Sequence, residues 1–156
     1  MKITDFLEEK DVIVGLKSTE KESVLDELLS CLEKNGKINN KKEILDALLE
    51  REKLGSTGIG QGVAVPHSKT EQVNNLVGAV GISYKGVDFE SLDEEPVYII
   101  FLVLAPTKST GIHLKALAKI ARLLKDNVFR NSLRKCKTPS EVIKIISEDE
   151  EKINSL

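Results

Sequence analysis

Tryptophan is absent from this 156-residue chain, and the remaining aromatic side chains are two Tyr and four Phe. A core built from it must be aliphatic, and flat platforms on which nucleic-acid bases could stack are scarce. No excess of one charge sign exists either: 23 Lys and Arg stand against 25 Asp and Glu, a formal net charge of -2. That balance excludes wholesale nucleic-acid binding. The longest strongly apolar run, Val97 to Ala105, is nine residues, less than half of the roughly 20 that a membrane-spanning helix needs. Met1 to Lys10 mixes Lys, Asp and Glu and lacks the apolar stretch of a secretory signal, so the expected location is the cytoplasm, with no membrane insertion. Cys31 and Cys136 form no CxxC pair and fall in stretches that read as helical or helix-flanking, which removes the case for a disulfide framework.

What the chain does contain is 40% hydrophobic residues, enough for one domain with a real core. Val24, Leu25, Leu28, Leu29 and Leu32 recur at helical spacing after Thr19 and Glu22, which read as a capping box, and Gly36 ends that helix. A second helix opens at Asn40, carries Ile44, Leu45, Leu48 and Leu49, and stops before Gly55. The segment Gly55 to Gly62 has four glycines in eight residues and reads as a loop. Val63-Ala64-Val65 is a short strand stopped by Pro66; Leu76 to Ile82 and Val97 to Leu104 have the apolar, β-branched character of strands covered on both faces. Tyr84 to Leu92 reads as an added edge hairpin. A helix from about Ile112 to Lys125 is expected to face inward with Leu114, Leu117, Ala118, Ala121 and Leu124. A short helix over Asn127 to Arg134 follows, and Thr138-Pro139-Ser140-Glu141 starts the last one. Helices on both sides of buried strands predict a three-layer α/β domain over residues 1–147, with 148–156 as a charged tail that frays.

Both histidines of the chain fall at element ends beside glycine-containing loops. His67 follows Pro66 and a loop able to aim backbone N–H groups at an anion. His113 lies in a first helical turn, where free N–H groups and the positive dipole end attract phosphate and disfavour a protonated imidazole. A neutral imidazole is both a nucleophile and a metal ligand, but neither Cys lies in the loops that hold the histidines and no HExxH spacing exists, which argues against a metal site. The glycine segment lacks the Walker lysine, and its order of helix, loop, strand is the reverse of the dinucleotide fingerprint; no G-x-S-x-G presents a serine. What remains is a histidine nucleophile beside an anion-binding loop, with Arg51 either a phosphate partner or an ordinary arginine at a helix end. Attack on a phosphoryl donor needs a neutral ring, an in-line approach and fixed donors for the oxygens, and calls for no metal or cofactor.

At these residues the sequence resembles the enzyme IIA domains of the fructose/mannitol class of the bacterial phosphoenolpyruvate-dependent sugar phosphotransferase system. The match centres on Gly55-Ser-Thr-Gly-Ile-Gly-Gln-Gly-Val-Ala-Val-Pro-His67, with Arg51-Glu-Lys-Leu54 upstream and Ala105-Pro106 and His113-Leu-Lys-Ala-Leu-Ala-Lys-Ile-Ala121 downstream. The resemblance implies a mixed, mostly parallel β-sheet flanked by helices on both faces and a phosphohistidine carrier between two proteins. His67 matches the histidine phosphorylated by the general carrier HPr, the phosphoryl group then passing to a IIB component. His113 matches the second histidine, which positions the group, and Arg51 the family arginine beside the site. Ser56, Thr57, Gly58, Gln61 and Ser68 are the expected phosphate-loop residues. Ser68 stands where many members have glycine, and Gln61 where some mannitol-type members have an acid.

Two functions follow from the same site. One is a transport component feeding a fructose- or mannitol-like sugar to its permease; the other is a nitrogen-type regulatory IIA protein whose phosphorylation state controls binding to targets. A non-enzymatic binding module would carry a damaged histidine or arginine, and neither is damaged here. Docking of partners is expected on an apolar rim that includes Ile59 and Val63.

Overall fold

The computed structural model describes residues 1–109 and 111–154. Two 3-10 turns, Ile3–Asp5 and Glu9–Asp11, lead into β1 (Val12–Val14), followed by α1 (Lys21–Lys34) and α2 (Lys41–Lys53). Next come the short strands β2 (Gly58–Gly60), β3 (Val63–Ala64) and β4 (His67–Thr70), the long strands β5 (Val77–Val87) and β6 (Val97–Pro106), and the helices α3 (Gly111–Leu124), α4 (Asn127–Arg134) and α5 (Pro139–Asn154). The sheet order is β1-β5-β6-β3-β2, with β4 also on β6. Pairings β1–β5, β3–β6 and β4–β6 are parallel, and β5–β6 and β2–β3 are antiparallel.

Alternation along β6 builds the layers. Ile99, Phe101 and Val103 enter a core with α3, α4 and α5, while Ile100, Leu102 and Leu104 enter a second core with α1 and α2. All six side chains are at most 1% exposed, so each contributes about 1.5–3 kcal/mol of burial. This is why the strand reads as a continuous apolar run: neither face meets water. No helix among the described residues is long and apolar enough to cross a membrane.

Several local expectations are corrected. The Thr19–Glu22 capping box does not form: Asp88 N–H donates to the Thr19 carbonyl at 2.8 Å and Lys21 N–H to the Asp88 carbonyl at 3.1 Å, holding residues 19–21 extended, and Glu20 stands at the N-cap without a side-chain bond. There is no separate edge hairpin over Tyr84 to Leu92, because β5 runs on to Val87 and the chain then backs the glycine segment. That segment is itself partly strand, Gly58 to Gly60 pairing with β3 across a turn at Gln61 and Gly62, both left-handed at φ 59° and 78°.

The buried face of α3 carries His113, Ala116, Ile120, Leu123 and Leu124; of the residues expected inward only Leu124 is fully buried, and Leu114 is 65% exposed. The helix is apolar on more than one side, so its periodicity allows two phases, and the sheet selects the one that buries Ile120. The end of the chain, expected to fray from Glu148, stays helical to Asn154; Ser155 and Leu156, like Thr110, lie outside the described residues. The physical reason is Glu150, which is 2% exposed and accepts Ile3 N–H at 3.0 and 2.8 Å and Lys119 Nζ at 2.9 Å.

Candidate active site

Strand β6 serves as the rail for the site. Val63 and Ala64 pair with Ile99 and Ile100, and His67 with Val103, so β3 and β4 follow one another along the same edge. Pro66, which has no N–H to give, separates the two strands while its carbonyl still accepts Val103 N–H at 3.0 Å. The backbone turn there lets the His67 ring fold back on the Val65 carbonyl, with Nδ1 2.8 Å from the oxygen. A carbonyl only accepts, so Nδ1 carries the proton, and in the neutral ring Nε2 keeps its lone pair free.

His113 approaches from the first turn of α3 and is 7% exposed. Its ring centroid lies 5.6 Å from that of His67, the planes inclined by 52°. Its Nδ1 is buried without a hydrogen-bond partner among the described residues. Protonating that ring would bury an unpaired charged N–H. Burial first, then the charge of a protonated His67 and that of Lys69, holds His113 below the ordinary histidine range. A neutral ring with an unprotonated Nδ1 leaves Nε2–H as a donor.

The opposite wall is the end of α2 and the glycine hairpin. Arg51 Nη1 donates to the Gly55 carbonyl at 2.9 Å, closing the helix end that the dipole makes negative. Ser56 Oγ donates to the Phe89 carbonyl at 2.9 Å and accepts Gly58 N–H at 3.0 Å, while Leu92 N–H donates to the Gly58 carbonyl at 3.1 Å. Gly58 is glycine because Ser91 Oγ fills the space of a Cβ, with Ser56 Oγ 3.2 Å from it.

Arg51, Ser56, Thr57 and His67 line one cavity of about 190 Å³ together with Ile59, Val65, Leu117 and Ala121. Larger cavities of about 570 and 620 Å³ lie elsewhere and contain neither histidine nor arginine. Four sequence-marked residues are not among its lining, and one of them is His113, which reaches the site only through its ring beside that of His67. Gly58 faces Ser91; Gln61 sits at the hairpin tip with its N–H on Asp93 Oδ2 at 3.1 Å; Ser68 Oγ turns to the Lys69 carbonyl at 3.2 Å. Of the two proposed rim residues, Ile59 is 51% exposed, but Val63 is 2% exposed because β3 pairs inside the sheet, so it cannot serve as rim. Leu54 and Leu114, from the ends of the flanking helices, are exposed instead.

Glu52 escaped the sequence reading. Its side chain is 3% exposed, and it accepts Thr57 N–H at 3.0 Å and Thr57 Oγ–H at 2.5 Å. An acid in the last turn of a helix opposes the dipole, and that anomaly next to a glycine-rich segment was the available signal.

Residues 5–149 match the family model described as phosphoenolpyruvate-dependent sugar phosphotransferase system, EIIA 2. The chain is 39% identical over 148 residues to the fructose-specific EIIABC component of Bacillus subtilis, covering 95% of this chain but only 23% of that protein. A nitrogen regulatory protein of Bradyrhizobium diazoefficiens is 37% identical over 148 residues, with 94% of this chain and 95% of that one covered. The crystal structure of nitrogen regulatory protein IIA-Ntr from Neisseria meningitidis superimposes with a TM-score of 0.86 at 33% identity, covering 92% of this chain and 98% of that one.

Proposed function

Because the chain belongs to the EIIA 2 family of the phosphoenolpyruvate-dependent sugar phosphotransferase system, we propose that it is a cytoplasmic phosphocarrier that takes a phosphoryl group from HPr onto His67 and passes it to a IIB component. The observation that carries this reading is the 2.8 Å bond from His67 Nδ1–H to the Val65 carbonyl, which leaves Nε2 nucleophilic beside Arg51 and the glycine hairpin.

In the first step the Nε2 lone pair of His67 bonds phosphorus as the donor's phosphorus–nitrogen bond breaks, its electron pair returning to the donor imidazole. Negative charge on the phosphoryl oxygens is met by the guanidinium of Arg51 and by the Nε2–H of a neutral His113. In the second step a thiolate of the IIB component attacks the same phosphorus, and the His67 imidazole leaves with its pair. The exposed apolar side chains of Leu54, Ile59 and Leu114 suit two brief encounters.

Intact-mass spectrometry after mixing with phosphoenolpyruvate, enzyme I and HPr tests the reading. One acid-labile phosphate on the wild type and none on His67→Ala supports it; an unmodified wild type beside active HPr overturns it.

The terminal role is transport of a fructose- or mannitol-like sugar, favoured by the 39% identity to the fructose-specific component. The second reading, regulation by phosphorylation state, is favoured by nitrogen regulatory relatives of matching length. Transfer of label from the phosphorylated protein to a purified IIB domain of fructose type supports transport, and retention of the label favours regulation.

A further inference from the structure

A hydrogen-bonded path leads from a buried carboxylate at the back of the glycine hairpin to the nucleophilic ring. Both oxygens of Glu52 are directed at Thr57, one at its N–H and one at its hydroxyl. The Thr57 carbonyl accepts Val65 N–H at 3.0 Å, and the Val65 carbonyl accepts His67 Nδ1–H at 2.8 Å. Lys21, its side chain 11% exposed, lies 3.3 Å from Glu52 and holds Nζ 5.2 Å above the Phe89 ring, so the acid is paired as burial requires. Its station in the last turn of α2 runs against the helix dipole, so helix stability does not account for it.

We propose that Glu52 is a positioning residue for the phosphoryl acceptor, acting through Thr57 and Val65 to hold His67 as the Nδ1–H tautomer with Nε2 unprotonated. The proposal rests on the carrier reading of His67. A free neutral imidazole in a histidine prefers the other tautomer, with the proton on Nε2, which cannot attack phosphorus. The Val65 carbonyl must therefore overturn that preference, and it does so only while its own position is set. Charge-assisted bonds from Thr57 to a carboxylate are stronger and more directional than bonds between neutral groups, which suits the first link of such a chain. With Nδ1–H in place, Nε2 gains the phosphorus while no proton moves on this side of the transfer.

Long-range proton–nitrogen NMR of the unphosphorylated protein reads the tautomer, and phosphorylation by phospho-HPr reads the rate. In the wild type the His67 signals are those of Nδ1–H. Glu52→Gln puts an amide N–H against a Thr57 donor, and Thr57→Val deletes the hydroxyl; each raises the Nε2–H fraction and slows phosphorylation at saturating HPr roughly tenfold, the scale on which loss of an orienting partner acts, with KM for HPr unchanged. Thr57→Ser keeps both donors and restores the wild-type pattern. Folded Glu52→Gln and Thr57→Val proteins with wild-type tautomer, or with slowed transfer and an unaltered tautomer, overturn the proposal. If Glu52→Gln does not fold, Thr57→Val decides alone. A wild type that never takes phosphate sinks the carrier reading separately, since the NMR comparison is made without phosphate.

Discussion

The rings of His67 and His113 stand 5.6 Å apart, centroid to centroid, and tilted by 52°, one from a strand start and the other from a helix start. They meet because β6 carries both: β4 pairs along it, and α3 follows it in the chain. Among the described residues only the His67 ring has a backbone acceptor on Nδ1, which separates their chemistry. When neutral, the ring with the acceptor has a free Nε2 lone pair, and a neutral His113 with Nδ1 unprotonated offers an Nε2–H.

From that asymmetry, His67→Ala takes no phosphate, while His113→Ala is still phosphorylated, about 10²-fold more slowly, the effect of removing one donor from a preorganised anion site. A time course of intact masses with limiting phospho-HPr checks both. Equal loss in the two variants would contradict the division of roles.

His113 also makes stability depend on pH. Its folded-state pKa is lowered by burial, by His67 and by Lys69. As pH falls through the ordinary histidine value of about 6.5, the unfolded chain binds a proton that the folded chain does not, so stability is intact above that pH and declines below it. Melting temperatures followed from about pH 7.5 to 5.5 should fall more steeply for the wild type than for His113→Gln. Parallel curves would show that His113 binds its proton equally well folded and unfolded.

Gly58→Ala drives a methyl group into Ser91 Oγ and toward Ser56 Oγ. Overpacking of this kind costs about 1–3 kcal/mol. Urea unfolding of the single variant and of Gly58→Ala with Ser91→Gly measures it, the second change recovering most of the loss.

Glu150→Ala removes the acceptor of Ile3 N–H and the partner of Lys119. Breaking a buried pair from one side costs about 3–5 kcal/mol. Chemical denaturation should report that loss, while the phosphorylation rate at 25 °C under native conditions stays at the wild-type level, since Glu150 lies outside the cavity lining.

The layers were legible because β6 is apolar at every position from Val97 to Ala105, which only a strand covered on both faces explains. His67, Arg51, Ser56 and Thr57 stood out as chemistry beside glycines, and they share a cavity. The phase of α3 was not legible, since Leu114 and Leu117 compete with Ile120 and only the position of the sheet decides between them. The docked end of α5 was hidden for a different reason: Glu150 is stabilised by a residue 147 positions away. Charge in a terminal stretch signals solvent unless a distant backbone N–H happens to meet it.

The borders of the sheet limit one route by which two copies could join. β1 and β2 have three residues each and β4 has four, whereas the long strands β5 and β6 lie inside. A short, interrupted border offers an incoming strand too few consecutive N–H and C=O groups to extend the ladder. Exposed Leu54, Ile59 and Leu114 can therefore stay bare between encounters. Self-association of two copies would have to rely on side chains alone, without the backbone zippering that makes such contacts irreversible.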